Sequence, residues 1–104
     1  MRIEVRSAGF TASEALRAHL ERRLGSAVAR RADGVRRLVV RMRDENGPRG
    51  GLDKRCRIEF ELSRGPRQVV EAVAGDFYAA IDAASRRLGR AVDRTLDRTR
   101  HRAA

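Results

Sequence analysis

Residues 76–98, DFYAAIDAASRRLGRAVDRTLDR, constrain this chain more than any other stretch. Successive helical residues turn by about 100°, and at that step Phe77, Ile81, Ala84, Leu88, Val92 and Leu96 collect on one face, with Ser85 at its edge. A long amphipathic helix must bury such a face against another element, so the rest of the chain has to supply a surface for it. The remaining positions are sorted by charge. Arg87, Arg90, Arg94 and Arg98 form a stripe roughly 80° wide, while Asp82, Asp93 and Asp97 fall on a different flank with Arg86. A helix that needs only solubility intersperses opposite charges as i,i+4 pairs. Here arginines stand three and four residues apart, which costs a little helix stability and calls for an external partner that offsets the repulsion.

The surface on offer is a sheet. In residues 1–7, Ile3 and Val5 alternate with Arg2, Glu4 and Arg6, the pattern of a half-buried strand. Thr11-Ala-Ser-Glu14 has the capping-box form and predicts a helix start. Leu16, Leu20, Leu24, Ala27 and Val28 continue that helix's apolar face, and Arg22, Arg23 and Arg30 share a neighbouring flank with His19 and Ser26. Gly25 weakens the helix by about 1 kcal/mol relative to Ala, and Gly34 is expected to end it as a left-handed cap. Leu38, Val40 and Met42 mark a second strand over 35–43. Residues 44–54, DENGPRGGLDK, read as a mobile hairpin connection longer than most. Cys56, Ile58, Phe60 and Leu62 alternate with Arg57, Glu59 and Glu61 in a third strand, and Arg64-Gly65-Pro66-Arg67 makes a turn. Residues 68–74 form a fourth strand, in which Val69 and Val73 compete with Val70 and Ala72 for the core. Gly75-Asp76 then caps the long helix. The fold class is α+β, in the order β-α-β-β-β-α, with two helices on one face of a four-stranded mixed sheet. The crossover helix favours a parallel first pair and the tight later links favour antiparallel ones.

A chain of 104 residues accommodates one domain, residues 1–98, followed by a basic C-terminal tail, residues 99–104. Its 24 basic residues against 14 acidic ones leave a formal net charge of +10, and all the bases but Lys54 are arginine. G+C-rich coding would explain arginine over lysine, but not the excess of bases over acids. Arginine's planar fork matches phosphate oxygens, so a polyanion is the expected partner. Nucleic acid stands ahead of membrane, because no apolar, basic-edged segment stands free of the core. Cys56 is alone, which excludes an internal disulfide or a Cys-based zinc site. With no signal peptide and no apolar run long enough to span a bilayer, a soluble cytoplasmic protein is expected.

Catalytic constellations are absent from the pattern. His19 lies at the edge of a helical core face and His101 in the tail, Glu59 and Glu61 suit cross-strand ion pairs, and Cys56 suits a core position. No Ser-His-Asp set, HExxH pair or phosphate-binding glycine loop occurs. Phe10, Phe60, Phe77 and Tyr78 are too few to stack bases across a sheet. What remains is backbone recognition, with guanidinium groups presented to phosphates and riboses.

Asp76-Phe-Tyr-Ala-Ala-Ile-Asp82, followed by Leu88 and a basic helix and preceded by GPRQVVEAVAGD and by Glu14-Ala-Leu-Arg17, resembles the ribosome hibernation promoting factors and ribosome-associated translation inhibitors. The likeness runs over essentially the whole chain. It implies a fold similar to the double-stranded RNA-binding fold and a non-enzymatic factor in the mRNA/tRNA channel of the small ribosomal subunit. There it would bind rRNA and inhibit translation of idle ribosomes under stress. It also implies no cofactor, no metal and no small-molecule substrate, and a chain that is monomeric when free, with ribosome pairing left to a separate factor. Carried over by position, the family's basic residues match Arg87, Arg90, Arg94 and Arg98, with Arg17 and Arg23 on the first helix. Arg22 and Arg30 on that helix's basic flank complete the candidate RNA-binding set. Ser26 stands where relatives commonly carry a base. Long members add a C-terminal dimerisation domain, and a chain stopping at Ala104 resembles the short form. A general double-stranded RNA-binding module, or an adaptor for an acidic protein, would use the same charge.

Overall fold

In the computed structural model β1 (Arg2–Ala8), α1 (Glu14–Val28), a 3₁₀ segment (Ala29–Gly34), β2 (Val35–Asp44), β3 (Lys54–Leu62), β4 (Gln68–Ala74) and α2 (Phe77–Ala103) follow in order. The structure describes residues 1–45 and 52–103, with side chains through Arg98. The strands lie side by side as β1-β2-β3-β4, with β1 parallel to β2 and the other neighbours antiparallel. Both helices pack on one face of this mixed sheet, so the α+β order expected from the sequence is the order observed. Most of the connection over 44–54 falls on 46–51, outside the described residues.

Register places the core. Leu38, Val40 and Met42 of β2 stand opposite Phe60, Ile58 and Cys56 of β3, and Ile58 and Cys56 stand opposite Val70 and Ala72 of β4. Residues directly opposite on paired strands share a face, so this pairing settles the facing of β4 that its own valines leave open. Val70 and Ala72 join the core, while Val69 and Val73 are 46% and 40% exposed on the far side. Over this apolar floor α1 lays Leu16, Leu20, Leu24 and Val28, and α2 lays Ile81, Ala84, Leu88 and Val92, all buried.

Two helix boundaries differ from the sequence reading. The N-cap of α1 is Ser13, whose Oγ accepts from Leu16 N at 3.1 Å, not Thr11. Glu14 is therefore the first helical residue and cannot close a capping box. Gly34 does not adopt a left-handed conformation, which among the described residues only Gly9 and Gly65 do. The chain leaves α1 through the 3₁₀ segment, and Gly34 is small for another reason: a Cβ there would lie 2.8 Å from Leu96 Cδ1 of α2. The start of α2 is as expected, with Asp76 Oδ1 accepting from Ala79 N at 2.9 Å. Phe77 stacks on Phe10 at a centroid distance of 4.1 Å and ties the helix to the loop before α1.

At 1.5 Å per residue the 27 residues of α2 span about 40 Å, whereas the 7 residues of β4 span about 24 Å. The helix therefore outruns the sheet beneath it and continues past Arg98, the end expected from the pattern. Burial stops near Thr95 and Leu96, and Asp97 and Arg98 are exposed. No described helix is long and apolar enough to cross a membrane.

Candidate nucleic-acid interface

The buried positions of α2 fix where its charges point. With Ile81, Ala84, Leu88 and Val92 against the sheet, Arg87, Arg90, Arg94 and Arg98 emerge exposed along one flank. Arg87 Nη1 donates to the Glu71 carbonyl oxygen, which identifies this flank as the one above β4, the edge strand. Arg90, Arg94 and Arg98 make no ion pair among the described residues.

The acidic flank faces the other way, toward α1 and the 3₁₀ segment. His19 Nε2 donates to Asp82 Oδ1 at 2.7 Å, and Arg23 Nε lies 3.1 Å from the same oxygen. A carboxylate only accepts, so this geometry puts the proton on Nε2. Tyr78 closes over the His19 ring at 5.0 Å. Further along, Arg31 reaches both Asp93, at 3.5 Å, and Asp97, to which it donates from Nη2. Pairs this exposed contribute about 0–1 kcal/mol each to stability. Their larger effect is electrostatic sorting: the three aspartates are matched to bases of α1 and the 3₁₀ segment, and the stripe keeps its charge uncompensated.

The candidate residues of α1 do not form one surface. Arg17 and Arg22 are exposed and without an ion pair among the described residues, as is Arg30 in the 3₁₀ segment. Arg23 is half-buried in the seam with Asp82. Six residues at 100° place Arg17 about 120° round the helix from Arg23, on the flank away from α2. The structure therefore brings together Arg87, Arg90, Arg94 and Arg98, sets Arg22 and Arg30 on the outside of α1 and its extension, and turns Arg17 aside.

Sequence reasoning passed over the helix-free face of the sheet, where register aligns Arg6, Arg41 and Arg57 across three strands and Arg43 with Arg55. Strand alternation carried that signal. Glutamates interrupt this field. Glu59 lies 3.2 Å from Arg41 and 3.8 Å from Arg57, Arg55 bonds Glu45 and Glu71, and Arg37 donates to Glu4 at 2.8 Å. The hydrogen bond from Arg37 holds the Glu4 carboxyl below the usual range, and burial opposes this only in part. The open sheet is a mixed, largely self-neutralised surface, and the α2 flank is the unmixed one. Among the described residues no cluster of His, Cys, Asp and Glu is suited to hold a metal ion.

Comparison with known proteins bears on this geometry. The family model described as Sigma 54 modulation protein / S30EA ribosomal protein matches residues 3–100. Among curated proteins nothing matches. Among solved structures, a ribosomal subunit interface protein from Coxiella burnetii superposes with a TM-score of 0.78 at 20% identity, covering 93% of this chain and 99% of that one. The N-terminal domain of Thermus thermophilus Protein Y superposes with a TM-score of 0.75 at 25% identity, covering 91% and 99%.

Proposed function

The chain belongs to the Sigma 54 modulation protein / S30EA ribosomal protein family, and from that premise we propose that it is a non-enzymatic factor that docks on the small ribosomal subunit through rRNA phosphates. In this reading it occupies the mRNA/tRNA channel and inhibits translation of idle ribosomes. Residues 1–98 act as the ribosome-binding domain, with the basic end, residues 99–104, adding to its charge. The observation that carries the proposal is the exposed arginine flank of α2, Arg87, Arg90, Arg94 and Arg98, stripped of counter-charge because Asp82, Asp93 and Asp97 are held by α1 and the 3₁₀ segment. Such a row reads the position of phosphates and little sequence. Arg22 and Arg30, on the outside of α1 and its extension, contact further phosphates, Arg23 takes part from the seam, and Arg17 contacts a separate strand of RNA. The name of one similar structure, a ribosomal subunit interface protein, agrees with a place on the ribosome.

A factor lying in the message and tRNA channel excludes those ligands, whereas one on the outer surface does not. Added to purified ribosomes, the chain should cosediment with the small subunit. It should also inhibit initiation on vacant ribosomes far more than elongation on ribosomes already holding a peptidyl-tRNA. Equal inhibition of both removes the channel site. Equal affinity for ribosomes and for duplex RNA of similar phosphate density favours instead a general double-stranded RNA-binding module, which the order β-α-β-β-β-α also suits.

A further inference from the structure

Ser85 and Arg23, whose Oγ and Nε are buried without a hydrogen-bond partner, both line one groove between α1 and α2. The groove encloses about 180 Å³ and is completed by Ser26, Ala27, Arg86 and Gly89. The helices approach closely here, since a Cβ on Gly89 would meet the Ala27 carbonyl oxygen at 3.1 Å. Ser85 is 2% exposed, and a buried hydroxyl left without a partner carries an uncompensated desolvation cost. Alanine at that position would carry no such cost. Arg23 Nε lies near Asp82 Oδ1 but out of line for a hydrogen bond, so the ion pair leaves that donor unsatisfied as well.

Charge completes the picture. Arg23 and Arg86 bring two guanidinium groups to the groove. Asp82 is shared between His19 and Arg23, and Asp93 and Asp97 are paired with Arg31. Arg86 is exposed and makes no ion pair among the described residues. The groove thus holds donors and positive charge from both helices, with Asp82 at the Arg23 side as the carboxylate beside it.

We propose that the α1–α2 groove binds a single phosphate group, with Arg23, Arg86, Ser26 and Ser85 as its donors. A phosphate spreads its oxygens tetrahedrally and can take bonds from both helices at once, whereas a carboxylate offers two oxygens in one plane. Resting on the ribosomal reading, the group is a backbone phosphodiester gripped at the helix seam, on the opposite side of α2 from the arginine stripe. A free or terminal phosphate monoester has the same chemistry.

The test follows the amide and arginine Nε–H signals of the full chain by nuclear magnetic resonance. It is titrated separately with inorganic phosphate, with acetate at matched ionic strength, and with a short RNA duplex lacking terminal phosphates. Inorganic phosphate and the duplex should both shift Ser85, Arg86 and Gly89 saturably, while acetate should not. Ser85→Ala should weaken phosphate binding roughly tenfold, the loss of one hydrogen bond to a charged group, with the melting temperature unchanged or raised. Arg86→Gln, at an exposed position, should weaken it similarly. Shifts with phosphate but not with the duplex keep the site and assign it to a monoester. Equal shifts with acetate, shifts that survive both substitutions, or no shift at all overturn it. Ribosome pelleting of the parent chain, run alongside, tests the ribosomal proposal separately, because phosphate shifts do not depend on it.

Discussion

Cys56 shows how a single side chain reports its surroundings. It is fully buried on β3 opposite Met42 and Ala72, and burial pushes its thiol up to about 12. A raised folded-state value means that the native state keeps its proton while the unfolded thiol, ordinarily near 9.0, ionises. This contribution to stability is intact below pH 9 and is lost as pH rises toward 12. The native chain should therefore resist thiol alkylation at pH 8 and react at once in denaturant, and its denaturant midpoint should fall above pH 9 more steeply than that of Cys56→Ala. The thiol's core position was legible from strand alternation alone. The caps were not. Thr11 and Ser13 are both good N-cap residues, so local sequence leaves the choice open, and the cap used is Ser13, in a loop that Phe10 anchors on Phe77 from a distant part of the chain. Gly34 likewise answers to Leu96 rather than to a local turn.

For the elements, helical periodicity identified both helices, their buried faces and the sorted charges of α2, because a period of 3.6 is a property of local sequence. It could not say what faces the aspartates. That depended on α1 lying against the acidic flank, so Arg31, absent from the candidate set, became the partner of Asp93 and Asp97. The facing of β4 had the same limitation, since Val69 and Val73 on one side against Val70 and Ala72 on the other leave the choice to the register with β3. Gly25, by contrast, is exposed in α1 with nothing within 4 Å of the position of an added Cβ. Gly25→Ala should stabilise the protein by about 1 kcal/mol through helix propensity alone, read from the denaturant midpoint at constant slope. Leu88→Ala on the buried face of α2 should cost about 2–5 kcal/mol. Together the two substitutions separate propensity from packing within the helical layer.

Seen whole, the molecule is one sheet carrying two kinds of charged surface. The helix-free face mixes arginines with glutamates, while the outer flank of α2 is arginine alone, and on the proposed reading it is this flank that meets the polyanion. If binding neutralises about five phosphates, the affinity for ribosomes should fall by about two orders of magnitude between 50 and 200 mM monovalent salt. A salt-independent affinity would remove the arginines from the contact. The central claim is that a particular flank, rather than total charge, does the binding. Its most direct test compares two double reversals at one ionic strength, Arg90→Glu with Arg94→Glu on α2, and Arg36→Glu with Arg43→Glu on β2. All four residues are exposed and without an ion pair among the described residues, so each pair changes net charge equally and leaves the core intact. With both variants shown to be folded by circular dichroism, the α2 pair should lose about 2–5 kcal/mol of ribosome affinity, and the β2 pair should stay close to the parent. Equal losses in the two variants, or an α2 variant that binds like the parent, would contradict the account.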